Sequence, residues 1–223
     1  MVKIALCFAG LPRLTPETEI SWQRFLDRYD VDVFVHTWAV NPMTPELINM
    51  HIVKILSPKL LVTSPARVFN TSLYTKRIWP HRSEPKNVLS MWYSINQSIN
   101  LCLAYSKEKQ INYDIVCRAR LDWWCSNLDI VQNDDVITVP YDMGLSGHRF
   151  KYNSTTYTAH NDQFGYGCQK FMSEYASTFY RIPTMYLDDT IDFCSELLLT
   201  TNLIKCNIPI AYQPHLTYRM SRI

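Results

Sequence analysis

Two arginines and an aspartate alternate at Arg118, Arg120 and Asp122, a period that would place all three on one face of an extended chain. Guanidinium groups grip phosphate oxygens bidentately, and a carboxylate can help hold a divalent cation that bridges a diphosphate. Charges at the end of an apolar strand cost stability unless they are paired or ligated. The segment therefore reads as either an internal salt-bridge cluster or a seat for a phosphate-bearing molecule. A second basic corner lies at Gly10-Leu11-Pro12-Arg13. Its rigid turn could aim Arg13 across a sheet edge at a phosphate, or simply carry a surface arginine.

His160-Asn161-Asp162-Gln163 places four polar side chains before the glycine-relieved turn expected at Phe164-Gly165-Tyr166-Gly167. Asp162 could cap local structure or face an acceptor hydroxyl as a base. His36-Thr37-Trp38 could stack on or hydrogen-bond a nucleotide or sugar ring, or close a packed core edge. Asp188-Asp189-Thr190 and Glu196 read first as helix caps and a helix residue, with Glu196 also a candidate second acid. Asp30 and Asp32 form an Asp-x-Asp that would suit a metal, but they begin a strand and so face the wrong rim of a parallel sheet.

The elements that must position these groups follow from hydrophobic period. Residues 2–9 are a near-continuous apolar run stopped by Gly10 and Pro12, the pattern of a strand buried on both faces. Helical spacing follows over 16–29, a strand over 31–36, a helix opened by Thr44 and Pro45 to about 55, and a strand over 59–63. Residues 64–86 carry three prolines, basic residues and Trp79 with little period, which predicts an irregular connection or a flap. The three- and four-residue steps of Val88, Met91, Trp92, Ile95, Ile99 and Cys102 predict a helix over 87–110. Strands at 113–118 and 136–139, a loop over 141–161, helices at 168–181 and 188–205 and a strand at 208–212 complete the chain. Strands separated by helices predict a mostly parallel sheet, with ligands outside its carboxyl edge.

The chain has 223 residues, 47% of them hydrophobic, with 22 basic against 20 acidic side chains. That length and composition predict one domain over 1–223, and a net charge of +2 leaves no broad footprint for nucleic acid or an anionic membrane. No stretch reaches the ~18 apolar residues of a membrane span, and the first nine residues show no leader pattern, so a cytoplasmic protein is expected. Seven cysteines without a Cys-x-x-Cys pair read as buried reduced thiols rather than a zinc site. Neither a Gly-x-x-x-x-Gly-Lys nor a Gly-x-Gly-x-x-Gly loop is present, which argues against P-loop and dinucleotide folds.

The ordered set of residues 4–13, Asp32-Val33-Phe34-Val35-His36-Thr37-Trp38, the helix start at 87–93, residues 113–122 and Asn161-Asp162-Gln163-Phe164 resembles small GT-A-type glycosyltransferase-like proteins of bacterial polysaccharide loci and large viruses. The resemblance covers most of the chain in matching order. It implies a single GT-A-like, Rossmann-like α/β domain with a mostly parallel central sheet flanked by helices. It also implies a nucleotide-diphosphate-sugar donor, Mn²⁺ or Mg²⁺, and sugar transfer to a glycan or other hydroxyl acceptor. On that basis Gly10, Arg13, His36, Arg118 and Arg120 are expected around the donor, Asp122 at the metal and Asp162 as base. Asp122 would stand where the last acid of the family's Asp-x-Asp motif lies, and Arg120 replaces the first acid. That departure opens two alternatives: a metal-independent transferase relying on arginines, and a non-catalytic carbohydrate-binding protein.

Overall fold

The computed structural model describes residues 2–39, 43–75, 84–125, 128–141, 149–189 and 191–213, together with the backbone of 218–220. Trp79 and Thr190 lie outside them. The elements in chain order are β1 (Lys3–Gly10), α1 (Pro16–Arg28), β2 (Asp30–Trp38), α2 (Pro45–Leu56), β3 (Leu60–Ser64), α3 (Pro85–Lys109), β4 (Ile115–Ala119), β5 (Trp123–Cys125), β6 (Ile137–Pro140), β7 (Arg149–Tyr152), β8 (Thr155–Thr158), β9 (Gly165–Gly167), α4 (Gln169–Leu187), α5 (Ser195–Lys205), β10 (Ile210–Gln213) and β11 (Tyr218–Met220).

The protein is α/β, with helices flanking a seven-stranded sheet of order β10-β6-β9-β4-β1-β2-β3. Pairing is parallel from β4 through β1 and β2 to β3, and between β6 and β10; β9 runs antiparallel to both its neighbours. The first three strands step outward in one direction, and the chain then crosses back to lay β4 on the other side of β1. The gap between the ends of β1 and β4 is thus a topological switch point, where open sheets of this kind bind ligands.

Alternation along the central strands sends side chains to two apolar layers. Ala5, Cys7, Phe34 and Val116 face α3, α4 and α5, whereas Ile4, Leu6, Phe8, Val33 and Cys117 face α1 and α2. Thr15 opens α1 with a reciprocal cap to Thr18, followed by Pro16 at the first helical position. All seven cysteines are free thiols, and burial raises the Cys7 and Cys117 thiols above their ordinary range. Among the described residues, no helix is long and apolar enough to cross a membrane.

Four expectations are corrected. Part of the loop expected over 141–161 is a hairpin of β7 and β8, turned by Asn153 and Ser154, both at positive φ; its polar, aromatic residues mask a short two-stranded pattern. Gly165-Tyr166-Gly167, read as a turn, is the antiparallel strand β9. A Cβ on Gly167 would lie 3.0 Å from the Val136 carbonyl oxygen, so this glycine serves close strand approach. Helix α4 continues beyond residue 181, through Pro183, to Leu187. Asp188 consequently ends α4 rather than opening the next helix, and Asp189 pairs with Lys205 while α5 begins only at Ser195.

Candidate functional site

At the switch point the strand ends enclose a cavity of about 380 Å³. Ala9, Gly10, Leu11 and Arg13 supply one wall, Trp38 another, Arg120 and Asp122 a third, and Asn87, Ser90 and Met91 from the first turns of α3 close it. The two basic corners therefore converge, although 107 residues separate Arg13 from Arg120 in the chain.

A knot of hydrogen bonds sets the Gly10 turn. The Gly10 N–H donates to Ser94 Oγ at 2.8 Å, Ser94 Oγ donates to the His36 carbonyl at 3.1 Å, and His36 Nδ1 lies 2.8 Å from the same Oγ. A hydroxyl has one proton and two lone pairs. With its proton on the carbonyl and Gly10 as one donor, Ser94 accepts the Nδ1 proton, and His36 Nε2 then accepts from Ser64 Oγ at 3.0 Å. His36 is thus a neutral, Nδ1-protonated ring that ties β1, β2, β3 and α3 together. Burial lowers its pKa to about 4. The Gly10 carbonyl accepts from Thr37 Oγ1 at 2.8 Å, and Gly10 itself sits at φ +117°, a conformation that disfavours any Cβ. His36 lies behind the cavity wall as a structural tie; the serines that hold it carried no local motif, beyond the interruption that Ser94 makes in the apolar stripe of α3.

Strand β4 ends at Ala119, and the chain then turns, with the Trp123 N–H reaching the Arg120 carbonyl. Arg118 shares its face with Val116 and is 0% exposed. Beyond the strand, Arg120 grips Asp122 bidentately, Nε to Oδ1 and Nη2 to Oδ2, both at 2.7 Å. The expected single row of three charges thus becomes a buried arginine below and an ion pair at the cavity wall. Trp123, next in sequence, stacks on Phe164 with centroids 4.7 Å apart and planes 3° from parallel, which pins the turn to the segment before β9.

Because β9 is antiparallel, the residues before it arrive at the carboxyl rim of β4, where Arg118 pairs with Gly165. This brings Asp162 near Arg118 and Arg120, although it does not line the cavity. Asn161 Oδ1 accepts the Gln163 N–H at 2.8 Å, and this turn holds Asp162 with 7% exposure. Ser195 hydrogen-bonds Asp162, and its Oγ is 2.9 Å from Glu196 Oε2, which also takes the Cys194 thiol at 2.9 Å. One serine proton serves only one of the two carboxylates. Burial raises the Asp162 pKa, as does the Glu196 charge, while Arg118 opposes them.

The Arg118 guanidinium makes no hydrogen bond among the described residues, and burial lowers its pKa against the fields of Tyr175, Asp162 and Asp122. Tyr175 and Ser195 complete this buried cluster from α4 and α5; helical spacing alone marks them as ordinary helix positions. His160 is turned away to Tyr212, whose hydroxyl lies 2.9 Å from Nδ1. Asp32, set at the opposite rim, takes the Tyr113 hydroxyl at 2.8 Å with Lys3 and Lys59 as counter-charges. No protein-family model matches the chain, and comparison with curated proteins returns no match.

Proposed function

We propose that this chain is a glycosyltransferase of GT-A-like fold, moving a sugar from a nucleotide-diphosphate-sugar donor to a hydroxyl of a glycan or similar acceptor in a reducing compartment such as the cytoplasm. The observation that carries the reading is the convergence of Arg13 and Arg120 on one cavity at the β1/β4 switch point. Among the described residues Arg13 has no ion-pair partner, and its guanidinium is available to phosphate oxygens.

Glycosyl transfer develops positive charge on the sugar and negative charge on the departing diphosphate. Arg13 and Arg120 would neutralise the leaving group, and Trp38 offers an aromatic wall to a ring. Asp162, with its raised pKa, has the proton affinity of an acceptor base.

A divalent cation fits the described side chains poorly. Asp122 is the carboxylate on the cavity wall, and both its oxygens are engaged by Arg120. No group of three His, Cys, Asp or Glu side chains is disposed to share an ion among the described residues. The diphosphate charge is therefore assigned to the arginines, as in the metal-independent alternative.

A thermal-shift screen of nucleotide sugars, run with Mn²⁺ and again in excess EDTA, tests the reading. A ligand that binds only the folded state raises the melting temperature. A shift from at least one donor in both conditions is expected, followed by donor hydrolysis or transfer. No shift from any nucleotide sugar would remove the transferase reading.

A further inference from the structure

Trp38, on the cavity wall, is one end of a line of rings that leaves the strand ends and passes over α3. It packs on Tyr93 with centroids 5.6 Å apart; Tyr93 packs on Phe69 at 5.9 Å and on Phe179 at 5.4 Å; Phe179 packs on Tyr180 at 5.3 Å. The far end opens into a groove of about 250 Å³ between the segment after β3 and helices α3 and α4, walled by Phe69, Tyr74, Leu89, Phe179 and Tyr180, with Asn70 also lining it.

Core packing does not account for the outer part of this strip. Tyr180 is 65% exposed, and Val68 and Leu73, next in sequence to Phe69 and Tyr74, are also exposed. Contiguous apolar surface beside a cavity marks a binding surface. Its polar groups are few. Asn70 accepts the Ser72 N–H and hydroxyl on Oδ1, at 3.0 and 2.7 Å, which leaves its amide NH₂ to donate outward. The Arg67 guanidinium lies over Tyr93 and Phe69, 4.8 and 5.5 Å from their centroids.

Aromatic faces with an amide and a guanidinium nearby match a pyranose, whose C–H face is apolar and whose rim carries hydroxyls. A single arginine already resting on two rings is a weak phosphate site. The line of packed rings also runs from the groove through Tyr93 to Trp38 on the cavity wall, so a ligand spanning both is a chain of ring-sized units. We infer that the groove binds sugar rings of the acceptor, an oligosaccharide whose body lies along Phe179 and Tyr180 while one end reaches the cavity. The inference rests on the transferase reading for the role of that end.

The test uses the full chain and linear hexasaccharides of glucose, galactose, mannose and N-acetylglucosamine, with affinity measured by calorimetry and contact by ligand-observed NMR. At least one is expected to bind, more tightly than its monosaccharide. Tyr180→Ala removes an exposed ring and should leave the melting temperature unchanged while weakening that binding about tenfold, the scale of one aromatic contact. Phe179→Leu, which keeps apolar volume, should weaken it in the same direction. Binding by none of the hexasaccharides, or an affinity indifferent to Tyr180→Ala, overturns the inference; so does capture of phosphatidylglycerol vesicles with no hexasaccharide bound. If nucleotide sugars stabilise the protein and hexasaccharides do not bind, the groove assignment falls alone. If hexasaccharides bind at Tyr180 and no nucleotide sugar does, the transferase reading falls alone.

Discussion

Arg120 reaches two residues along the chain to close a bidentate pair with Asp122, both bonds at 2.7 Å, on the wall of the switch-point cavity. The pair holds the guanidinium in place at the cavity wall while occupying the carboxylate that a cation would need.

Arg120→Met is therefore expected to weaken binding of uridine, guanosine or thymidine diphosphate about tenfold, the scale of one charge-assisted hydrogen bond. Calorimetry of the wild-type chain should give the same affinity in Mn²⁺ and in excess EDTA. Loss of binding in EDTA would return the diphosphate charge to a metal.

His36 is buried and neutral, and its pKa is lowered to about 4. A histidine lowered on folding contributes stability that is whole above its unfolded value near 6.5 and is lost as pH falls from there through the folded value. Denaturant unfolding should show stability declining between pH 6.5 and 4, with His36 accounting for on the order of 3 kcal/mol. In His36→Gln that part of the slope should vanish; an unchanged slope would show that the ring titrates normally.

Asp162 is raised by burial and by Glu196. Its neutral form is favoured on folding, a contribution present at low pH and lost as pH rises through the raised value. Asp162→Asn should thus keep or raise the melting temperature at pH 7.5 while lowering kcat far more than donor affinity. Turnover near that of the wild type would rule it out as the base.

Arg118 is the buried counter-charge of Asp162. Arg118→Met keeps the volume and removes the charge that opposes the rise at Asp162, so Asp162 must hold a proton to stay buried. The loss of stability should be larger at pH 8 than at pH 5, about 3 kcal/mol at the higher pH. Equal losses at both would mean that Arg118 acts by packing alone.

Gly10→Ala meets no atom within 4 Å, yet places a Cβ at φ +117°. A cost of about 1–2 kcal/mol is expected from backbone strain alone, read as a lower denaturation midpoint at unchanged slope.

Much of the frame was legible along the chain. The apolar run of β1, the spacing within α3 and the Thr44-Pro45 helix start are local signals: burial on both faces, a helical stripe and a cap leave marks on neighbouring residues. The parallel order they imply was enough to place Gly10, Arg13, Arg120 and Asp122 at one edge. The same logic kept Asp30 and Asp32 away from it. A two-residue period for Arg118, Arg120 and Asp122, by contrast, assumed a strand that stops at Ala119.

What the tertiary structure alone decided is how these groups are paired. Strand β9 has three residues and two glycines, too short for any period, yet its reversed direction is what carries Asp162 to the rim of β4. His36, at the end of a strand, could face a ligand or close a core edge; Ser64 and Ser94, which use both its ring nitrogens, lie 28 and 58 residues away. Sequence patterns report the period and burial of a segment through its own neighbours. Which donor meets which acceptor depends on segments distant in the chain, and only their packing settles it.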